Sequence, residues 1–441
     1  MRTLLRLFYR EVATVDYHHI PSHGPVILAA NHHNSLVDAM LLLTTLDRPV
    51  TVLAKAELFD HWLIGPFLHS MHAVPVHRRQ ESGDDPDKNK VMFATVSAVL
   101  RAGGVVLIFP EGRTQPQPVL LPLRTGAARI LLGLSSAEAA TVTMVPVGLI
   151  FHDPGTFRAA RALIKAGPPV GTADLVSKAG VASAQDVRTL TRRLTSALRA
   201  QIIEAEDQYT LTLLEVLEEA WRQEDANGGE SVPDEADPAA SVRWRQRVMH
   251  GAAALAELDP DRVQDLRHRI DEYRAGLDEA GLTGNQLGKP YRPIAVARFV
   301  VKNLTLLTLG LPVALWGIVC HAVPYRITAA IVPRLDSTAE EEATDKLGVG
   351  LVIYPAAWIV EGLLVWVLTG TYGAVAFGLL LVPSGLLALA WRERLNRTSR
   401  QVRAFLRFLF DRDLHERLIA SRQTLIGEVR AVADMAPVEL E

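Results

Sequence analysis

Short apolar runs alternate with segments of helical period along the first two hundred or so residues. Pro25-Val26-Ile27-Leu28-Ala29-Ala30 is a run of strand length, and Val50–Ala54, Val105–Phe109 and Thr143–Ile150 repeat the pattern. Between them, Leu36–Thr44, Val91–Ala102 and Gly126–Leu134 carry apolar residues at helical spacing. Strands alternating with helices predict an α/β domain, a mixed sheet flanked by helices. From Asp174 to Glu204 the pattern is helical, with Leu190, Leu194, Leu198 and Ile202 four residues apart. Glu224–Pro238 is acidic, contains Gly and Pro and has no apolar period, so it reads as a linker. Ala239–Leu282 returns to charged helix, with a break expected at Asp259-Pro260.

The last third has a different pattern. Asn303–Tyr325 contains no Asp, Glu, Lys or Arg, which is long enough for one membrane span. Leu347–Val360 is also free of charge, Glu361 follows, and Gly362–Trp391 has none. Gly370-Thr371-Tyr372-Gly373 supplies a turn inside that stretch. A lone acid in lipid is costly, so Glu361 is expected at an interface or against another helix. Arg298 and Lys302 before the region, and Arg392, Arg394, Arg397 and Arg400 after it, place both flanks on the cytoplasmic side. That requires an even number of crossings, whereas three helices give an odd one. The count stays at two or three, with either the Pro312 helix re-entrant or interfacial, or the last two helices one tilted passage. The expected organisation is therefore 1–205 as the α/β domain and 206–295 as a charged helical region with its linker near 224–238. Residues 296–391 follow as a membrane region and 392–441 as a basic amphipathic tail.

Composition narrows the classes. The 441 residues are 49% hydrophobic with a net charge of −3, which gives no sign of nucleic-acid binding. The single Cys320 lies in an apolar run, which excludes a disulfide framework and a thiolate metal site. Arg2 and Arg6 precede no long apolar core, so no signal peptide is expected. Met1–Thr14 reads as a basic amphipathic helix, lying on an anionic membrane surface or packed on its own domain.

Candidate chemistry stands at two strand ends. The first strand runs into Asn31-His32-His33-Asn34-Ser35-Leu36-Val37-Asp38. Ser35 followed by Asp38 fits a helix N-cap with an acid in the first turn. The cap accounts for neither the two histidines nor the two asparagines. Histidine takes up a proton near neutral pH, and a carboxylate bonded to one ring nitrogen fixes its tautomer. Residues five apart lie about 140° apart on an ideal helix, so His33 meets Asp38 only from outside the first turn. The strand Val105–Phe109 ends in Pro110-Glu111-Gly112-Arg113-Thr114, again charged groups at a carboxyl end. His69, His72 and His77 lack the ligand spacing of a known zinc site, so no metal is expected.

His33, four intervening residues, Asp38 and then Phe109–Thr114 resemble the motifs of the glycerolipid acyltransferase family, which contains glycerol-3-phosphate and 1-acylglycerol-3-phosphate acyltransferases. Ala73-Val74-Pro75-Val76-His77-Arg78-Arg79 is similar to the family's second block, and Val145-Pro146-Val147-Gly148 to its fourth. The resemblance covers roughly the first half of the chain. It implies that His33, oriented by Asp38, takes the proton of an acceptor hydroxyl. It implies that Arg78, or alternatively Arg79, grips a phosphate with Arg113, and that Pro146 lies near the acyl site. Glu111 would bond a glycerol hydroxyl or hold Arg113, Gly112 would let the backbone approach the ligand, and Thr114 completes the segment. The implied donor is acyl-CoA or acyl-carrier protein, and no cofactor is needed. The long membrane extension looks like that of the fungal glycerol-3-phosphate/dihydroxyacetone-phosphate acyltransferases, which makes glycerol-3-phosphate the expected acceptor. A 1-acylglycerol-3-phosphate or other lysophospholipid is the alternative, and a non-catalytic membrane scaffold a third reading. The expected place is an integral membrane protein with its catalytic domain on the cytoplasmic face. No Gly-x-Ser-x-Gly elbow follows any strand, which argues against a serine hydrolase.

Overall fold

The computed structural model describes residues 5, 8–60, 64–77, 90–115, 117–152, 161–228, 238–282, 287, 293–335, 342–410 and 412–435. They form two compact units. One is built on Met1–Gln208 with the short segments Asp237–Val242 and Thr338–Thr344; the other holds the remaining helices.

The first unit is a sheet of seven strands: β1 (Glu11–Val15), β2 (Val26–Ala30), β3 (Val50–Lys55), β4 (Val74–Val76), β5 (Val105–Ile108), β6 (Thr143–His152) and β7 (Arg161–Ala166). Their order across the sheet is β1-β7-β6-β2-β5-β3-β4. β2 is central, with Val26 in register with Val105 on one side and Thr143 on the other, both pairings parallel. Every residue of β2 is buried. A strand covered on both faces needs a continuous apolar run rather than an alternating one, and Val26–Ala30 is such a run. β3 and β4 extend the parallel part, and β7 turns antiparallel to β6, so the sheet is mixed. The carboxyl ends of β2, β5, β3 and β4 therefore share one edge.

Helices α1 (Leu36–Thr45), α2 (Lys90–Arg101), α3 (Gly126–Leu132) and α4 (Ala184–Arg199) flank the sheet. Val96 of α2, Leu131 of α3 and Leu190 of α4 share one core with Ile27, Val106 and Met144. Ser183 caps α4 with a capping box, and Leu190, Leu194 and Leu198 are its buried stripe. The amino terminus departs from the expected helix. Glu11–Val15 is a strand paired with β7, and Leu5, Phe8 and Tyr9 before it are buried. β4 and β7 were also missed, because β4 has only three residues and Arg161–Ala166 carries charges at both its first and fifth positions. Ser35 does not cap α1: its side chain makes no cap bond.

The second unit is helical, with α5 (Gln208–Gly228), α6 (Pro238–Leu258), α7 (Pro260–Ala280), α8 (Pro293–Ile331), α9 (Glu342–Phe410) and α10 (Arg412–Ala433). α5 runs to Gly228, into the stretch read as a linker, whose remainder from 229 to 237 lies outside the described residues. Asp259 caps α7 at the expected break, and Trp221 of α5 stacks on Trp244 of α6 at 4.8 Å. Among the described residues, two stretches are long and apolar enough to cross a membrane, Ala297–Arg334 and Thr344–Arg403. The second is interrupted at Gly370, whose φ of 77° is not helical. The Trp358 ring lies 5.7 Å from that of His321, and a Cβ built on Gly385 would lie 2.7 Å from His321 Nε2. On one straight helix Trp358 and Gly385 would be about 40 Å apart. The chain therefore doubles back at Gly370, and α9 is a helical hairpin.

Close approach of backbones holds this hairpin to α8. A Cβ on Gly317 would collide with the Ser384 carbonyl oxygen, whereas one on Gly362 meets nothing within 4 Å among the described residues. Gly317→Val is expected to lower the thermal unfolding midpoint of the detergent-solubilised protein, and Gly362→Ala to leave it unchanged or raise it. Differential scanning fluorimetry of the two variants checks this.

Candidate active site

The site begins where β2 stops. Asn31 is buried and bonds the main chain of β6 twice: its Nδ2 donates to the Leu149 carbonyl at 2.9 Å, and the Leu149 N–H donates to its Oδ1 at 2.6 Å. An amide side chain offers one donor and one acceptor, which matches one backbone N–H and C=O. Asn31 therefore clamps the end of β2 to the strand beside it.

Asp38 lies in the first turn of α1 and is fully buried. Its Oδ2 accepts from the His33 N–H at 2.7 Å, the Asn34 N–H at 2.8 Å and the His32 ring Nδ1 at 2.9 Å. Both amides precede α1, so the carboxylate ties the segment leaving β2 to the first turn of the helix, where the helix dipole favours its charge.

The ring held by Asp38 is that of His32. This corrects the expected pair, in which the His33 ring meets Asp38. His33 does lie outside the first turn and faces back over it, but with its main-chain N–H. Its ring Nδ1 is 3.0 Å from the Gln115 carbonyl oxygen. A carbonyl only accepts, so that nitrogen carries the proton. His32 Nδ1 likewise faces a carboxylate, which places its proton on Nδ1 and leaves Nε2 with a lone pair. The His32 ring also stacks on Phe109, 4.0 Å between centroids and 14° between planes, and this limits its rotation.

Glu111 arrives from the end of β5. It is buried, and its two oxygens accept from two main-chain amides: Oε1 from His32 N–H at 2.8 Å and Oε2 from Leu121 N–H at 2.9 Å. Burial pushes its carboxyl up to about 7, while the two amide bonds and Arg113 pull the other way. Glu111 is therefore a strut between the end of β2 and the loop after β5. The same loop is tied back by Gln115 N–H to the His32 carbonyl at 3.2 Å. Gly112 turns it with φ +72°, and a Cβ there would press on Arg124 Cγ at 3.3 Å. Arg113 is exposed, Thr114 half-buried, and Pro146 buried in β6 opposite Ala29. The structure thus brings His32, His33, Asp38, Glu111 and Gly112 together; Arg78 and Arg79 lie outside the described residues.

Further along the same edge, at the ends of β3 and β4, lies a cavity of about 350 Å³ lined by Ala56, Glu57, Phe59, Asp60, His69, Pro75 and His77. Sequence reasoning did not assign a role to Asn31 or Gln115. Gln115 contributes its backbone carbonyl, a group every residue has, so no side-chain pattern marks it. Asn31 stands directly after an apolar strand, a position that signals a buried amide needing main-chain partners.

Two substitutions test these struts. Glu111→Gln presents an N–H₂ to one of the two amides, so two donors face each other; it is expected to cost about 1–3 kcal/mol of stability. Asn31→Ala strands the Leu149 N–H and C=O and is expected to cost about 2–4 kcal/mol. Chemical unfolding midpoints of both variants against the parent measure these losses.

Residues 11–150 match the family model described as Acyltransferase. Over 201 residues the chain is 27% identical to glycerol-3-phosphate O-acyltransferase 2 of Saccharomyces cerevisiae, covering 45% of this chain and 26% of that protein. Over 203 residues it is 28% identical to the 1-acyl-sn-glycerol-3-phosphate acyltransferase of Bacillus subtilis, covering 45% of this chain and 89% of that one. The match thus spans about a quarter of the yeast relative's length. Among solved structures, the 1-acyl-sn-glycerophosphate (LPA) acyltransferase PlsC of Thermotoga maritima aligns with 19% identity and a TM-score of 0.31, over 45% of this chain and 74% of that one. Residues 11–150 are thus similar to the acyltransferase domains of glycerolipid acyltransferases.

Proposed function

We propose that this chain transfers a fatty acyl group from acyl-CoA or acyl-carrier protein to a hydroxyl of glycerol-3-phosphate, with His32 as the base. The observation that carries the reading is the bond from His32 Nδ1 to the buried Asp38 carboxylate. An alcohol is a weak nucleophile at neutral pH and needs a base within reach. His32 Nε2 takes the hydroxyl proton as the oxygen attacks the thioester carbonyl carbon. The tetrahedral intermediate collapses, the C–S bond breaks, and the leaving thiolate takes the proton from the imidazolium. Asp38 holds the ring and stabilises its cationic form.

Arg113, exposed beside the site, is suited to grip the acceptor phosphate, and Arg78 is assigned the same task by its sequence block. The domain organisation fits a lipid product. Residues 1–205 carry the chemistry, 206–295 a helical region, 296–391 the apolar helices that integrate into the membrane, and 392–441 a basic tail at its surface. The catalytic domain then faces the cytoplasm, where both donors are found. The yeast relative's name favours glycerol-3-phosphate as acceptor. A 1-acylglycerol-3-phosphate acceptor is the second reading, favoured by the match over nearly the whole length of the Bacillus protein. His33 is the second reading for the base, since its Nδ1 is also tied to an acceptor and its spacing to Asp38 is the family's.

Membranes holding the protein, given labelled acyl-CoA, are expected to form a monoacyl product from glycerol-3-phosphate. His32→Ala is expected to lower kcat by about 10²–10⁴-fold, the usual worth of a general base. His33→Ala is expected to lose far less; the reverse order would move the base to His33. Activity confined to lysophosphatidate would move the acceptor, and no transfer to either acceptor from either donor would end the reading. Arg113→Ala is expected to raise the acceptor KM about tenfold with kcat little changed, as for the loss of one charge-assisted bond.

A further inference from the structure

Among the described residues, the buried polar atoms with no hydrogen-bond partner include Asp38 Oδ1, Asn34 Nδ2 and the Tyr9 hydroxyl. Their residues are 0%, 4% and 1% exposed. One is an acceptor and two carry donors, so the set is complementary. The Tyr9 hydroxyl lies close enough to Asp38 to feel its charge. The Tyr9 ring lies 6.3 Å from that of Phe151, and Phe151 meets the His33 ring edge-on at 6.2 Å. The His33 and Asn34 amides both bond Asp38 Oδ2. Burial, and then the charge of Asp38, push the Tyr9 phenol well above its ordinary range, so it remains a donor at any working pH. Buried donors and acceptors are rarely left unpaired, and one ordered water serves up to four of them.

We propose that Tyr9 and Asn34 are positioning residues for the His32–Asp38 pair, their donors sharing one buried water with Asp38 Oδ1. The inference rests on the reading of His32 as the base. Oδ2 carries the bonds that aim the imidazole, and Oδ1 is the handle by which the carboxylate itself is kept from rotating. Donors on Oδ1 also draw negative charge away from Oδ2, which lowers the pull of Asp38 on the imidazolium. Glu111 also interacts electrostatically with this carboxylate, and Arg113 acts on Glu111. Neither variant below alters them.

The test compares the full-length protein with Tyr9→Phe, which removes only the hydroxyl, and Asn34→Ala. Histidine titration is read by NMR on protein labelled at the histidine ring carbons, with His32 assigned by its loss in His32→Ala. The expected result is a rise of about half a pH unit in the His32 midpoint in each variant, as charge returns to Oδ2. With an active preparation, kcat is expected to fall about fivefold while both KM values hold, and the acid limb of the pH profile to move up with the midpoint. A Tyr9→Phe protein whose His32 midpoint equals that of the parent overturns the proposal, whatever becomes of Asn34→Ala. The titration needs no turnover, so a protein that proves inactive on every acceptor would end the functional reading and still decide this one.

Discussion

One carboxylate oxygen, Asp38 Oδ2, gathers three N–H donors from three consecutive residues. Burying a carboxylate away from water is costly unless donors replace its hydration. Here the donors are two amides of the segment leaving β2 and the ring of His32, and the carboxylate itself belongs to α1. The exit of the strand, the start of the helix and the orientation of the imidazole are thus one electrostatic arrangement. Loss of any member leaves the others with a buried charge or a stranded amide.

The second buried acid repeats the logic on the neighbouring strand. Glu111 joins the amide of His32 to the amide of Leu121, so two carboxylates work on main-chain atoms on either side of one imidazole. Their burial comes from sheet topology. Because β2 and β5 are parallel and adjacent, their carboxyl ends open side by side, and residues 79 positions apart meet at hydrogen-bond distance. The stack of His32 on Phe109 is a product of the same adjacency.

Much of this was readable from the chain. Continuous apolar runs such as Val26–Ala30 and Val105–Ile108 announce strands covered on both faces, and the polar segments that follow them announce the site. What could not be read is which atoms meet. The spacing of His33 to Asp38 points to one ring, but the turn between β2 and α1 gives Asp38 the main chain of His33 and the ring of His32. Both histidines lie beyond Ala30, in the turn before α1, where neither a strand nor a helix period fixes which ring faces Asp38. The resemblance implies that Glu111 bonds a glycerol hydroxyl or holds Arg113, whereas its hydrogen bonds go to main-chain amides that no side-chain pattern displays. Ser35 fits a capping rule by identity, yet its φ of 45° turns the backbone elsewhere. The terminal strand β1 went unseen because its five residues begin with an acid and are mostly open on one side.

The reversal at Gly370 bears on sidedness. From Thr344 to the break, and again from the break to Trp391, each arm has about twenty or more residues, enough to reach across some 30 Å of hydrocarbon. A hairpin that enters a bilayer returns to the leaflet it left. Such an element adds anchorage without changing which compartment the following chain occupies. If α8 and the hairpin both entered a bilayer, the number of crossings between Ala297 and Arg403 would be odd or even according to α8 alone.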